Sequence, residues 1–110
     1  MPQRSILASA LALAGNGPGR ERRAWSIVWE AMRYLQRGAA TVRFNRIDSL
    51  DPTQPGEALN AEHRIAAQCI RAVAPKPVHG EAAVAAAFEN AADLARSVAD
   101  RLYDSRRGSE

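Results

Sequence analysis

Apolar residues recur along the chain at helical spacing, and this pattern predicts helices over most of its length. The strongest repeat lies in residues 80–104, where apolar positions alternate at intervals of four and three, as in the seam between packed helices. A second stripe predicts a helix over residues 57–74, and Pro75 ends it because the residue before a proline disfavours the helical conformation. The short link between the two helices predicts an antiparallel hairpin. The positions of the first seam are Val84, Phe88, Ala91, Ala95, Val98 and Leu102.

A third helix is predicted over residues 20–37, and its apolar residues cover most of its circumference. Gly38 follows as a natural C-terminal stop. Because this apolar surface is wider than two neighbouring helices cover, we expect the helix at the centre of the bundle or in an interface. The pattern therefore predicts a homodimer or a bound protein partner. The apolar positions are Ala24, Trp25, Ile27, Val28, Trp29, Ala31, Met32, Tyr34 and Leu35.

The N terminus is predicted to form a short helix over residues 5–14. A helix of about ten residues is unstable in isolation, so it must dock on its own core, on a second copy or on a partner. The next five residues contain three glycines and a proline, which predicts a flexible hinge and a mobile arm. The expected organisation is an arm over residues 1–14, a hinge over 15–19, a single helical domain over 20–104 and a tail over 105–110.

A secretory signal is an alternative interpretation of the N terminus. Arg4 precedes an apolar run that ends in the small-residue sequence Ala12-Leu13-Ala14. The run is short for an export signal, and only one basic residue precedes it. Cys69 is the only cysteine, so the chain forms no internal disulfide, and a reducing cytoplasmic compartment is expected.

Residues 39–50 fit two conformations. Val42 and Phe44 lie on one side of an extended segment, whereas Phe44 and Ile47 also fit one side of a helical turn. The β-branched and aromatic residues favour the extended segment. A strand here has no evident partner within the chain, so it would pair with a second copy or a target.

Composition supports a helical fold. Alanine, the strongest helix former, fills 23 of 110 positions, and the aromatic residues that favour strands make up only 5%. Hydrophobic residues at 46% and charged residues at 25% are ordinary for a globular domain. The predicted fold is therefore all-α, a small bundle of three to four helices.

Charge is distributed unevenly along the chain. The net charge is +3, but residues 1–50 carry eight arginines against three acids, and residues 51–110 carry seven basic groups against nine acids. A net charge of +5 in residues 1–50 and of −2 in residues 51–110 predicts a surface with a positive side and a negative side. Helices of opposite charge would then pack on each other or on a second copy.

Chemistry-bearing residues are scarce. His63 and Cys69 lie six residues apart on one predicted helix, a rise of about 9 Å, which is too far for a nucleophilic pair. No metal-ligand spacing and no phosphate loop is present. We therefore expect no enzyme activity, cofactor or metal, and an enzyme built on His63, Cys69 and His79 is only a third interpretation.

The predicted function is stoichiometric protein binding by a small non-catalytic regulator. The bias towards arginine and alanine, which have GC-rich codons, suits a bacterial or phage source. Such a regulator would act as an inhibitor or antiactivator that occupies an interface of a larger protein, for example a transcription factor. The expected contact residues are apolar residues of the arm and of the third helix: Ile6, Leu7, Leu11, Trp25, Trp29 and Met32.

Nucleic-acid binding is the alternative function. Arginines cluster at the start of the third helix and recur along it, where they could contact phosphates. Against this, the second helix of the hairpin begins at Glu81, which repels phosphate. Membrane binding is not expected, because the polar side of the N-terminal helix is serine and alanine rather than cationic. The candidate nucleic-acid contacts are Arg20, Arg22, Arg23, Arg33 and Arg37.

Overall fold

The computed structural model describes residues 2–53 and 60–108, and in this part of the chain it confirms the all-α fold. Four helices pack into an elongated bundle, and two very short strands pair at one end. In chain order, the elements are α1 (Pro2–Ala14), α2 (Arg20–Asn45), β1 (Ser49–Leu50), α3 (Ala61–Val73), β2 (Val78–His79) and α4 (Glu81–Gly108).

The two long helices, α2 and α4, form the most extensive contact of the fold. The predicted α4 seam is confirmed, since Val84, Ala91, Ala95, Val98 and Leu102 are all buried and only Phe88 is partly accessible. Alanine supplies half of the buried residues of the main core, and side chains this small allow packed helices to approach closely. Both α1 and α3 pack against this pair and against each other.

Helix α2 is longer than its sequence predicts. It continues through Gly38 to Asn45, so the expected stop at Gly38 and the extended conformation of residues 39–45 are both wrong. Gly38 lies inside the helix because its missing side chain makes room for the ring of Phe88. The helix ends at Arg46, which takes the left-handed conformation at φ 52° and donates its backbone N–H to the Val42 carbonyl.

Two short strands pair the link between α2 and α3 with the link between α3 and α4. Ser49 pairs with His79 and Leu50 with Val78 in an antiparallel register, and the Gly80 N–H donates to the Asp48 carbonyl at 2.7 Å. The expected strand partner outside the chain is therefore wrong. A second small core of Val42, Val84 and Ala85 lies beneath this ladder, with Leu50, Val78 and Phe88 against it.

Other helix boundaries also differ from prediction. Helix α4 runs to Gly108, so the expected end at residue 104 is too early and part of the predicted tail is helical. Helix α1 begins at Pro2 rather than at residue 5. The side chain of Asn60 caps α3 by accepting from the His63 N–H at 2.8 Å, and the predicted start at residue 57 lies outside the described residues.

The N-terminal helix is docked on its own chain. Ile6 and Ala10 are fully buried in the main core, where they join residues of α2, α3 and α4. The structure thus selects, among the three docking sites that the sequence allows, the chain's own core. The expected mobile arm is packed in this structure.

Candidate interaction surface

One side of α2 is turned away from the core and carries arginines. Arg22, Arg33, Arg37 and Phe44 are separated by eleven, four and seven residues, intervals that place them on one side of a helix. All four are exposed, and Phe44 is 89% accessible. Together with Ser26, Glu30 and Ala40 they form what we call the α2 outer face, because Glu30 is also exposed and lies seven residues before Arg37.

A pair of stacked tryptophans borders this face. The rings of Trp25 and Trp29 lie 5.2 Å apart between centroids, with planes 15° from parallel. Both rings are half-buried and pack against the main core, so each stabilises the fold and still leaves part of its surface accessible. Trp29 lies one helical turn before Arg33, so the two residues are neighbours on the helix surface.

The α2 outer face carries three arginines and one glutamate, so its net charge is positive. Arg22, Arg33 and Arg37 form no ion pair with any residue that the structure describes, whereas Arg43, on the flank towards α4, pairs with Glu89. The three unpaired guanidiniums span about 22 Å of helix. A face of this kind attracts an anionic surface.

The structure separates the predicted protein-contact residues into two groups. Ile6 is fully buried and Met32 is 4% exposed, so both are core residues and neither is accessible to a partner in this structure. Leu7, Leu11 and the two tryptophans are half-buried and remain accessible in part. Helical periodicity marks an apolar stripe, but it does not show which of its positions a neighbouring helix covers.

Two of the predicted nucleic-acid contacts have an internal role. Arg20 Nε donates to the Leu11 carbonyl at 3.1 Å, and Arg23 Nε donates to the Ala14 carbonyl at 2.9 Å. The remaining Arg23 nitrogens donate to the Pro18 and Asn16 carbonyls at 2.7 and 3.0 Å. The bonds to Leu11 and Ala14 satisfy carbonyls in the last turn of α1, which lack helical partners, and the bonds to Asn16 and Pro18 satisfy carbonyls of the link to α2. Of the arginines predicted to contact phosphate, only Arg22, Arg33 and Arg37 are left exposed and unbonded in the described structure.

The three residues considered for catalysis lie in different surroundings. Cys69 is buried, and desolvation raises the pKa of its thiol to about 12, so the nucleophilic thiolate is suppressed. His63 lies against Tyr34, with ring centroids 4.6 Å apart and planes tilted by 47°. His79 is exposed in β2. Within residues 2–53 and 60–108, no group of three His, Cys, Asp or Glu side chains is placed to hold a metal ion.

A shallow cleft of about 430 Å³ lies between the start of α1 and α4. Its walls are Pro2, Gln3, Arg4, Leu94 and Arg101, and its lining is mostly apolar. Arg101 Nη1 donates across the cleft to Gln3 Oε1 at 3.5 Å, a long and exposed hydrogen bond. The five lining residues include no carboxylate, histidine, cysteine or hydroxyl group.

Comparisons with known proteins give no match, so the proposals on function rest on the surface itself. No protein-family model, curated protein or solved structure matches this chain. Among the described residues, none of the helices combines the length and the apolar character needed to cross a bilayer.

Phe44 is the contact candidate that sequence reasoning missed. Its strand-like neighbours suggested an extended segment, which hid its relation to the arginines. Because α2 continues to Asn45, Phe44 belongs to the same helix as Arg33. It lies eleven residues after Arg33 and therefore on the same side of the helix. The signal that could have found it is the uninterrupted helical spacing of Arg33, Arg37 and Phe44.

Proposed function

We propose that this protein is a small non-catalytic regulator that acts by binding another protein stoichiometrically. In this proposal it is an inhibitor or antiactivator that occupies an interface of a larger protein such as a transcription factor. The observation that carries the proposal is the α2 outer face, where a solvent-exposed Phe44 is aligned with three unpaired arginines beside a stacked tryptophan pair.

The residue types on this face are those that dominate protein interfaces. Arginine and tryptophan are enriched among interface residues with large binding energies, and aromatic side chains are enriched at interface cores. An almost fully accessible Phe44 contributes little to the fold, because its ring is not removed from water. The partner expected from this chemistry has an acidic surface around an apolar pocket that accepts the ring.

A matched set of variants tests the proposal in a lysate of the source organism treated with nuclease. Wild-type protein should retain one protein in a stoichiometric amount. A triple variant, Arg33→Ala/Arg37→Ala/Phe44→Ala, should lose that protein, while Tyr103→Ala on the exposed side of α4 should retain it. Equal recovery by the triple variant and by wild type would contradict binding through the α2 outer face.

Nucleic-acid binding is the second candidate function, and the same three arginines favour it. Binding to labelled single-stranded or duplex DNA would then weaken by roughly one power of salt concentration for each phosphate contacted. The protein-binding proposal predicts no measurable DNA complex at an ionic strength of about 0.15 M. If a DNA complex forms and the Arg33→Ala/Arg37→Ala variant weakens it, nucleic-acid binding replaces protein binding as the proposed function.

A further inference from the structure

The outward side of α4 carries four carboxylates and, at its edge, one arginine, Arg96, which is exposed and lies seven residues after Glu89. Glu89, Asp93, Asp100 and Asp104 are all exposed and are separated by four, seven and four residues, so they lie on one side of the helix, opposite the buried seam. Ala82 and Ala86 extend the same side towards the start of α4 and are also exposed. Together with Arg96, these six residues form what we call the α4 outer face.

The two outer faces match in spacing when their helices run antiparallel. Arg37, Arg33 and Arg22 follow one another at intervals of four and eleven residues, and so do Glu89, Asp93 and Asp104. Since the rise per residue is the same in both helices, each set has separations of about 6 and 16 Å. Three guanidiniums can therefore meet three carboxylates at once.

The same register also matches the uncharged positions. With Arg33 opposite Asp93, the hydroxyl of Ser26 lies opposite Asp100, where it can donate a hydrogen bond. Ala40 then lies opposite Ala86, and Phe44 lies opposite Ala82. The exposed ring would rest on the small alanine side chains of α4, which leave room for it. Burial of this ring adds an apolar contribution to the ionic one.

The two faces cannot meet within one molecule. Helices α2 and α4 pack on each other through their buried sides, and each outer face lies on the opposite side of its own helix. A symmetric dimer through the α2 outer face alone would bring the three arginines of each copy together with only Glu30 to balance them, so repulsion would dominate. Charge complementarity therefore favours contact between the α2 outer face of one copy and the α4 outer face of another.

We propose that a second copy of this chain docks its α4 outer face antiparallel on the α2 outer face, so that the protein assembles head to tail. The ionic pairs are Arg22–Asp104, Arg33–Asp93 and Arg37–Glu89. Glu89 also pairs with Arg43 of its own chain, and a carboxylate has acceptor sites for both guanidiniums. Because the two faces differ, each added copy leaves one free face at either end, as in any heterologous contact that does not close.

This assembly is weak and sensitive to salt. Exposed ion pairs are individually weak, and the screening length falls from about 10 Å at 0.1 M salt to about 3 Å at 1 M. Self-association does not depend on the proposed function, but it covers the α2 outer face and so competes with any partner that uses that face.

Sedimentation velocity of the full chain at low ionic strength tests the assembly through charge reversal. The wild-type average mass should rise with concentration, and Arg22→Glu/Arg33→Glu and Asp93→Arg/Asp104→Arg should each remain monomeric when alone. An equimolar mixture of the two variants should associate again, because each supplies the face that the other lacks. Arg64→Glu/Arg71→Glu on α3 makes the same charge change away from both faces and should associate like wild type.

Three results would overturn the proposal. One is a wild-type protein that stays monomeric at low salt over the whole concentration range. Another is association that both charge-reversal variants retain, and the third is a mixture that stays monomeric although circular dichroism shows both variants folded. None of these results bears on the lysate experiment, so the two proposals can fail separately.

Cysteine cross-linking tests the antiparallel register. Ala40→Cys mixed with Ala86→Cys should form a disulfide-linked dimer under mild oxidation, and neither variant alone should do so efficiently. The native Cys69 is buried and does not compete. Failure of the mixture to cross-link under conditions in which wild type associates would overturn the register.

Discussion

Gly38 lies in the middle of α2, and the ring of Phe88 from α4 lies directly against its backbone. A Cβ atom placed on Gly38 would be 2.6 Å from both Cδ1 and Cε1 of that ring, closer than carbon atoms approach in folded proteins. Phe88 packs against both hydrophobic clusters, so its ring has little freedom to shift. This contact fixes the separation of the two long helices where α2 passes the start of α4.

Gly38→Ala should therefore destabilise the protein, although alanine is the better helix former. We expect the free energy of unfolding to fall by about 1–3 kcal/mol, the usual range for overpacking. In a Phe88→Ala background the clash is gone, and the same substitution should raise stability by about 0.5–1 kcal/mol through helix propensity. Urea denaturation of the four proteins measures both effects, and the same sign in both backgrounds would contradict the contact.

Arg46→Gly should stabilise the protein. Arg46 ends α2 in the left-handed conformation, which costs a residue with a Cβ atom about 1–2 kcal/mol and costs glycine almost nothing. We expect a gain of about 1 kcal/mol in urea denaturation. Arg96→Gly in the middle of α4 is the matched control and should lose about 1 kcal/mol, because there glycine replaces a helical residue. A loss at both positions would argue against strain at Arg46.

Arg23→Ala should loosen α1. Arg23 donates to carbonyls of Ala14, Asn16 and Pro18, and its loss leaves the end of α1 held mainly by Arg20 and apolar packing. Because these bonds are exposed to water, we expect a loss of only about 1 kcal/mol, together with faster amide hydrogen exchange in α1. Arg22, one position earlier, makes none of these bonds. The stability of Arg22→Ala should therefore stay within about 0.5 kcal/mol of that of wild type. Unchanged exchange in Arg23→Ala would contradict this capping role.

Cys69 should make stability fall at alkaline pH. Burial raises the pKa of its thiol from 9.0 to about 12, so the folded state holds this proton over a range in which the unfolded chain releases it. The stabilisation is complete below the unfolded value and is lost as pH rises towards 12. Wild type should therefore lose more stability than Cys69→Ala between about pH 7 and about pH 10. Equal losses would show that the thiol is solvated.

The same burial predicts an unreactive thiol. In the folded protein Cys69 should react with a disulfide reagent only through transient opening, at a rate that rises steeply with added denaturant. Ala86→Cys supplies an exposed thiol for comparison and should react at once. Rapid reaction of Cys69 in native buffer would contradict the buried site.

The sequence by itself determined the helical class and the faces of the long helices. Alanine content and helical spacing predicted the bundle, and the α4 seam from Val84 to Leu102 is buried as the spacing requires. The arginines of α2 and the carboxylates of α4 are likewise fixed by sequence position, because helix geometry places residues at such intervals on one side.

Only the tertiary structure decided which residues each helix contacts. Gly38 looks like a helix stop until Phe88, fifty residues later, is packed against it. Arg20 and Arg23 look like phosphate ligands until the end of α1 presents its carbonyls to them. Met32 and Trp29 belong to one apolar pattern, yet only Met32 is fully covered. In each case the outcome depends on a contact between distant parts of the chain, and a local pattern of residues does not contain that contact.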